Sequence, residues 1–117
     1  MLKFYGYKKC ETCRRAEQFL LQVGVKYQFI DITENPPDAA ELAAIARHAN
    51  VGINKLFNTS GIQYRELNIK ERLPALSDQQ KIDLLASNGR LIKRPLITDG
   101  HRATVGFATE LFTEIWR

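Results

Sequence analysis

The chain has 117 residues, 44% hydrophobic and 26% charged, a balance that fits one small globular domain and argues against wholesale disorder. It offers no apolar run near the roughly 18 residues that a membrane span needs, and its first residues lack a signal-peptide pattern, so the expectation is a cytoplasmic protein with no membrane role. A formal net charge of +4 favours anionic substrates or partners, but falls short of implying direct nucleic-acid binding.

In chain order, Leu2 to Tyr5 reads as a short strand ended by Gly6. From Cys13 the apolar residues take helical spacing, with Cys13, Ala16 and Leu20 on one face, Phe19 and Val23 beside them, and Gly24 as a stop. Val25, Tyr27 and Phe29 then alternate with Lys26, Gln28 and Ile30, predicting a second strand to about Ile32. Strand, helix and strand in so short a stretch form a βαβ unit with a parallel pair.

Asn35, Pro36 and Pro37 break the pattern, and Asp38 with Glu41 resembles a capping box. Leu42, Ile45, Ala46 and Ala49 give the following helix its apolar face, with Gly52 expected to end it. Ile53 to Phe57 suits another short helix, and Asn58 to Gly61 a turn. Residues 62–76 show only scattered anchors, Tyr64, Leu67, Ile69 and Leu73. Ser77 to Gln80 is a second capping-box pattern, opening a helix with Ile82, Leu85 and Ala86 inward and Asn88 and Gly89 at its end.

Strand character returns from Leu91 to Thr98, interrupted by Pro95. Asp99 and Gly100 predict a two-residue hairpin turn, with His101 to Val105 returning antiparallel and Gly106 ending the strand. Ala108 to Trp116 closes the chain as a helix carrying Leu111 and Ile115 on one side. The order suits an α/β, thioredoxin-like (glutaredoxin-like) mixed sheet whose βαβ and ββα halves are separated by a helical insertion. One domain, 1–117, is expected, with 1–33 and 91–117 as its core and 34–90 as the insertion.

Only two cysteines occur, Cys10 and Cys13, in a C-x-x-C. A pair this close closes too small a loop to staple a fold, so chemistry at the sulfurs is its natural use. Cys10 falls between a strand end and a helix start, where free N–H groups and the helix dipole favour a thiolate. Lys8, Lys9, Arg14 and Arg15 add positive charge. Cys13 shares the apolar face of Ala16 and Leu20, so it is expected to be the shielded, resolving thiol and Cys10 the attacking one. A structural zinc site would need further ligands, and His48 and His101 lack the spacing for one. A copper-carrier loop also places a C-x-x-C after a first strand, but the Pro95 segment and hairpin fit that fold poorly. Two inert thiols are the remaining bland reading, disfavoured by their place at a basic helix start.

Pro95 removes a ladder donor where a strand would begin. On base rates it would be a trans proline on an edge strand; together with the C-x-x-C it is expected to be the cis-proline that faces the cysteines in thioredoxin-like folds. Arg94 would then come close to Cys10 and hold an anion or thiolate with its guanidinium fork. His48 and His101 read as exposed or capping residues, and Phe112 and Trp116 as core.

The run from Tyr7 through Cys10 and Cys13 to Ala16, the segments Leu56 to Gly61 and Tyr64 to Leu67, Leu91 to Leu96, and Val105 to Phe107 together resemble the arsenate reductase-like family that includes the Spx and MgsR regulators. The resemblance covers nearly the whole chain. It implies a thioredoxin-like fold with a helical insertion, cis geometry at Pro95, and Cys10 as the reactive thiol. Arsenate reductases of this type hold the oxyanion with several arginines; Arg94 matches one, while Asn58 stands where another is expected, and none follows the hairpin at Thr104 to Phe107. Losing charge-assisted donors worth roughly 1.5–3 kcal/mol each makes arsenate reduction the weaker expectation. The leading expectation is a cytoplasmic thiol–disulfide oxidoreductase-like protein. In it Cys10 attacks, Cys13 resolves the mixed disulfide, and Lys9, Arg94 and Pro95 line the substrate. No bound cofactor or metal is expected, with glutathione or a protein thiol as co-substrate. The alternative is an Spx/MgsR-like redox regulator binding the RNA polymerase α C-terminal domain, for which the chain keeps the C-x-x-C, Arg94 and Gly52.

Overall fold

A computed structural model describes residues 2–117. Strand β1 (Leu2–Gly6) leads through α1 (Glu11–Gln22) to β2 (Tyr27–Asp31), which pairs parallel to β1. The helical stretch comprises α2 (Ala39–Ala49), a 3-10 turn (Ile53–Leu56), α3 (Ile62–Glu66), α4 (Ile69–Arg72), a second turn (Leu73–Ala75), α5 (Asp78–Ser87) and a third turn (Gly89–Leu91). The chain then returns to the sheet with β3 (Leu96–Thr98), β4 (Ala103–Val105) and the closing helix α6 (Thr109–Trp116). The strand order is β2-β1-β3-β4, with β3 antiparallel to both β1 and β4. This is the α/β mixed sheet with a helical insertion that the order of elements predicts.

Strand alternation sorts the core into two layers. Leu2 and Phe4 face α1 and α6, packing with Cys13, Ala16, Leu20, Ile97, Phe112 and Trp116. Tyr5 and Leu96 face the other way, against Leu42, Ile45 and Leu85 of the insertion and Leu91 just after it. Burying each such large apolar side chain contributes about 1.5–3 kcal/mol. The predicted inward faces of α1, α2 and α5 are the buried ones.

Ser77 and Gln80 form the complete capping box at α5, each side chain accepting the other's backbone N–H. At α2 only half of that pattern forms. Asp38 accepts the Glu41 N–H at 2.8 Å, but the Glu41 carboxylate turns to Tyr5 Oη at 2.8 Å and Lys3 Nζ at 3.4 Å, clamping the insertion to β1.

Several boundaries differ from the sequence expectation, each for a local reason. Helix α2 ends on Asn50, in the left-handed region at φ 57°, and not at Gly52. The Asp99 hairpin loop has four residues, because the Asp99 carboxylate takes the N–H groups of His101 and Arg102 and so keeps both out of β4. Leu91 lies in a 3-10 turn, opened by the Asn88 side chain accepting the Arg90 N–H, and β3 begins only at Leu96. In α6 the buried residues are Phe112 and Trp116, whereas Leu111 is 38% exposed. Residues 62–76, illegible as a pattern, form α3, α4 and a turn too short to show a period.

Candidate functional site

Helix α1 begins at Glu11 with Cys10 as its N-cap. The Cys10 Sγ accepts the Cys13 N–H at 3.4 Å, and the Cys10 N–H donates to the Tyr7 carbonyl at 3.0 Å. The sulfur thus sits at the positive end of the helix dipole, where a thiolate replaces missing intrahelical acceptors. Partial burial works against charging it, but the Cys13 N–H and thiol, then Arg94, outweigh that cost and hold the Cys10 thiol below its ordinary range. Cys13, one turn on, is fully buried. Burial pushes its thiol up to about 12, with Cys10 adding to the rise. Gly6 keeps room for that sulfur: a Cβ there would lie 3.2 Å from Cys13 Sγ and 2.6 Å from the Phe4 ring. Both cysteines are free thiols.

Arg94 and Pro95 precede β3, and the bond between them is cis. The Pro95 carbonyl accepts the Gly106 N–H at 2.9 Å, so the end of β4 holds this segment in place. The Arg94 guanidinium lies over the Tyr7 ring, 5.5 Å from its centroid.

Cys10 opens into a cleft of about 770 Å³ between the start of α1, the turn before α3, the stretch 90–94 and the loop after β4. Its cations are Arg15, Arg90, Lys93 and Arg94, and among the described residues lining it there is no aspartate or glutamate. Asn58 lines it too, as do Val105 to Ala108, so the positions without the expected arginines face the same space. Lys9 is exposed and Pro95 buried, and neither is among the lining residues. Within the basic turn, Lys8 instead pairs with Glu17 at 3.3 Å, and Arg14 Nε donates to the Lys8 carbonyl. His48 and His101 are exposed and away from the cleft. Among the described residues no three or more His, Cys, Asp or Glu side chains are grouped to hold a metal ion, and no helix is long and apolar enough to cross a membrane.

Arg90 has no motif around it, and the sequence reading overlooked it. What brings it here is Gly89, buried against the backbone of Ile32 and Thr33, where any Cβ would collide with the Ile32 carbonyl. A glycine followed by a cation, after a capped helix, is the one trace it leaves in the sequence.

A family model described as ArsC family matches residues 5–115. The uncharacterized protein YusI of Bacillus subtilis strain 168 is 49% identical over 115 residues, covering 98% of both chains. A crystal structure of a possible arsenate reductase from Streptococcus mutans UA159 superposes with a TM-score of 0.86 at 41% identity, covering 97% of this chain and 98% of that one. The global transcriptional regulator Spx of Listeria innocua is 29% identical over 107 residues, 92% of this chain and 80% of that protein.

Proposed function

We infer that this chain, which belongs to the ArsC family, acts as a thiol–disulfide oxidoreductase through Cys10 and Cys13. The observation that carries this reading is the opposed state of the two sulfurs. Cys10 is a helix cap held toward thiolate in an open cleft, and Cys13 a buried thiol held protonated. The Cys10 thiolate attacks one sulfur of a disulfide R–S–S–R, forming a Cys10–S–S–R bond and releasing R–S⁻. Cys13 then gives up its proton to the released thiolate and attacks Cys10 Sγ. The second R–S⁻ leaves, two electrons have passed to the substrate, and a Cys10–Cys13 disulfide remains. Two molecules of a small thiol such as glutathione, leaving as their disulfide, or one protein dithiol, oxidised to its disulfide, reduce the Cys10–Cys13 bond and complete the cycle. Arg94 supports the first step by steadying negative charge beside Cys10.

The test is capture. A Cys13→Ser variant cannot resolve and is expected to accumulate mixed disulfides at Cys10, identifiable by mass spectrometry. The unsubstituted chain is expected to show a reversible Cys10–Cys13 disulfide. Reductase activity that survives Cys10→Ser overturns the assignment. Little arsenate-dependent turnover is expected, since Asn58 and the loop after β4, where the resemblance implies oxyanion-holding arginines, carry none, and the cleft's Arg15 and Arg90 stand at other positions.

A second reading has its own support: the match to Spx and the groove where Gly52 lies beside Arg47, Ile53 and Asp78. In that reading the same pair reports redox state to the RNA polymerase α C-terminal domain. It predicts binding of that domain with different affinities for the oxidised and reduced chain in calorimetry; no binding in either state removes it.

A further inference from the structure

Elsewhere on the surface, Lys3, Lys8, Lys81 and Arg102 each meet a carboxylate, while others such as Lys9, Lys26 and Arg47 form no ion pair among the described residues. What sets the cleft apart is that its cations share one concavity and no carboxylate of the described residues enters it. Arg15, Arg90, Lys93 and Arg94 line one concavity, and none of them forms an ion pair among the described residues. Like charges gathered without counter-charge raise the local potential and attract anions. Asp31, the acid whose charge feels Arg90, is already engaged by the Thr33 N–H at 2.9 Å and the Thr33 hydroxyl at 2.7 Å.

Two of the guanidiniums are also pre-oriented. Arg15 lies over the Phe107 ring, its Cζ 5.6 Å from the centroid, as Arg94 lies over Tyr7. A guanidinium laid on a ring keeps its N–H edges free for a planar anion, the geometry that suits bidentate carboxylate recognition. Arg90 is set by its backbone: Asn88 Oδ1 accepts its N–H at 3.1 Å, Asn88 Nδ2 donates to Gln63 at 2.6 Å, and Gly89 seats the turn on Ile32.

We propose that Arg15 and Arg90 form a carboxylate-binding subsite in the cleft that Cys10 opens into, so that the preferred substrate is a small disulfide carrying two or more carboxylates. This rests on the oxidoreductase reading and adds its substrate class. Arg94 serves the reacting sulfur, while Arg15 and Arg90 hold the ends of the molecule that do not react. Their binding energy brings the substrate disulfide to Cys10 and leaves the exchange itself, with its two-electron balance, as written above.

The experiment uses the full chain in its reduced form and follows a single turnover by stopped flow. Three aliphatic disulfides of different charge serve as probes: 3,3′-dithiodipropionate, 2-hydroxyethyl disulfide and cystamine. Each rate constant is normalised to the probe's reaction with a free simple thiolate, which removes intrinsic reactivity. The dianion is expected to react about tenfold faster than the neutral probe, and the dication slower than either. Arg15→Gln and Arg90→Gln are each expected to lower the dianion-to-neutral ratio about fivefold, and added salt to lower it in the unsubstituted chain. A ratio near one in the unsubstituted chain, or a ratio that both variants retain, overturns the subsite alone. A Cys10 that reacts with none of the three overturns the oxidoreductase reading itself, and the subsite with it.

Discussion

The Arg94 guanidinium rests on the Tyr7 ring at 5.5 Å, and the Tyr7 carbonyl accepts the Cys10 N–H at 3.0 Å. One residue thus fixes both the backbone of Cys10 and the cation beside it. The ring and the carbonyl are separable, because substitution removes only the first. Tyr7→Ala is expected to free the Arg94 side chain, raise the Cys10 thiol toward its ordinary value and slow iodoacetamide alkylation at neutral pH several-fold. Tyr7→Phe keeps the ring and is expected to keep the rate. Equal rates in all three proteins, followed across pH, would show that Arg94 needs no such support.

Alkaline pH is expected to destabilise the reduced chain. Cys13 stays a neutral thiol, pushed by burial from an ordinary 9.0 up to about 12. Unfolded, it loses its proton near the ordinary value; folded, it keeps it. The resulting stability is whole below about pH 9 and is lost as pH rises through about 12. Tyr27 acts in the same direction, raised by burial and its bond to Glu17 from 10.0 to about 12. Urea midpoints measured under reductant should fall over this window, and less steeply in Tyr27→Phe.

Acid acts through Asp99. Burial opposes its ionisation, but the N–H groups of Arg102 and His101 and the Arg102 guanidinium prevail and lower it to about 2 from 3.8. Its contribution is present above pH 3.8 and is lost as pH falls through about 2. Asp99→Ala strips three hydrogen bonds from the hairpin loop and is expected to cost about 1–3 kcal/mol at neutral pH. Denaturant melts at pH 7 and pH 2 should show the variant's deficit shrinking in acid.

Two glycines predict opposite outcomes. Gly89→Ala drives a methyl into the Ile32 carbonyl and is expected to destabilise the fold by about 3 kcal/mol or more. Gly52→Ala meets open space at a φ of −71° that any residue adopts, so it is expected to be neutral or to stabilise by about 0.4–1 kcal/mol. Thermal melts of both variants check the pair. Since Gly89 seats Arg90, a folded Gly89→Ala protein should also lose the charge preference among disulfides.

The contrasting settings of Cys10 and Cys13 could be read from a short stretch of chain, because a helix start imposes its geometry locally. The cap leaves one sulfur half-buried at the cleft, and the turn after it buries the other on the apolar face of Ala16 and Leu20. Arg94 and Pro95 were legible only in combination with that pair, since a proline at a strand start has many uses. Lys9 and Arg15 show where local reading stops. Both are cations close to Cys10, yet Arg15 enters the cleft and Lys9 does not, a choice set by the path of the turn and not by composition.

The amino-acid pattern alone determined the βαβ opening, the capped helices, the alternating faces of the sheet and the place of the C-x-x-C at the start of α1. Each of these depends on contacts within a few residues, where period, caps and breakers act directly. Only the tertiary structure decided which cations line the cleft into which Cys10 opens. Arg90 comes to the cleft because Gly89 allows one backbone to touch another far away in sequence, and Asn58 and the loop after β4 bring no charge to the same space. A pattern of side chains carries no record of such a close approach until the chain is folded.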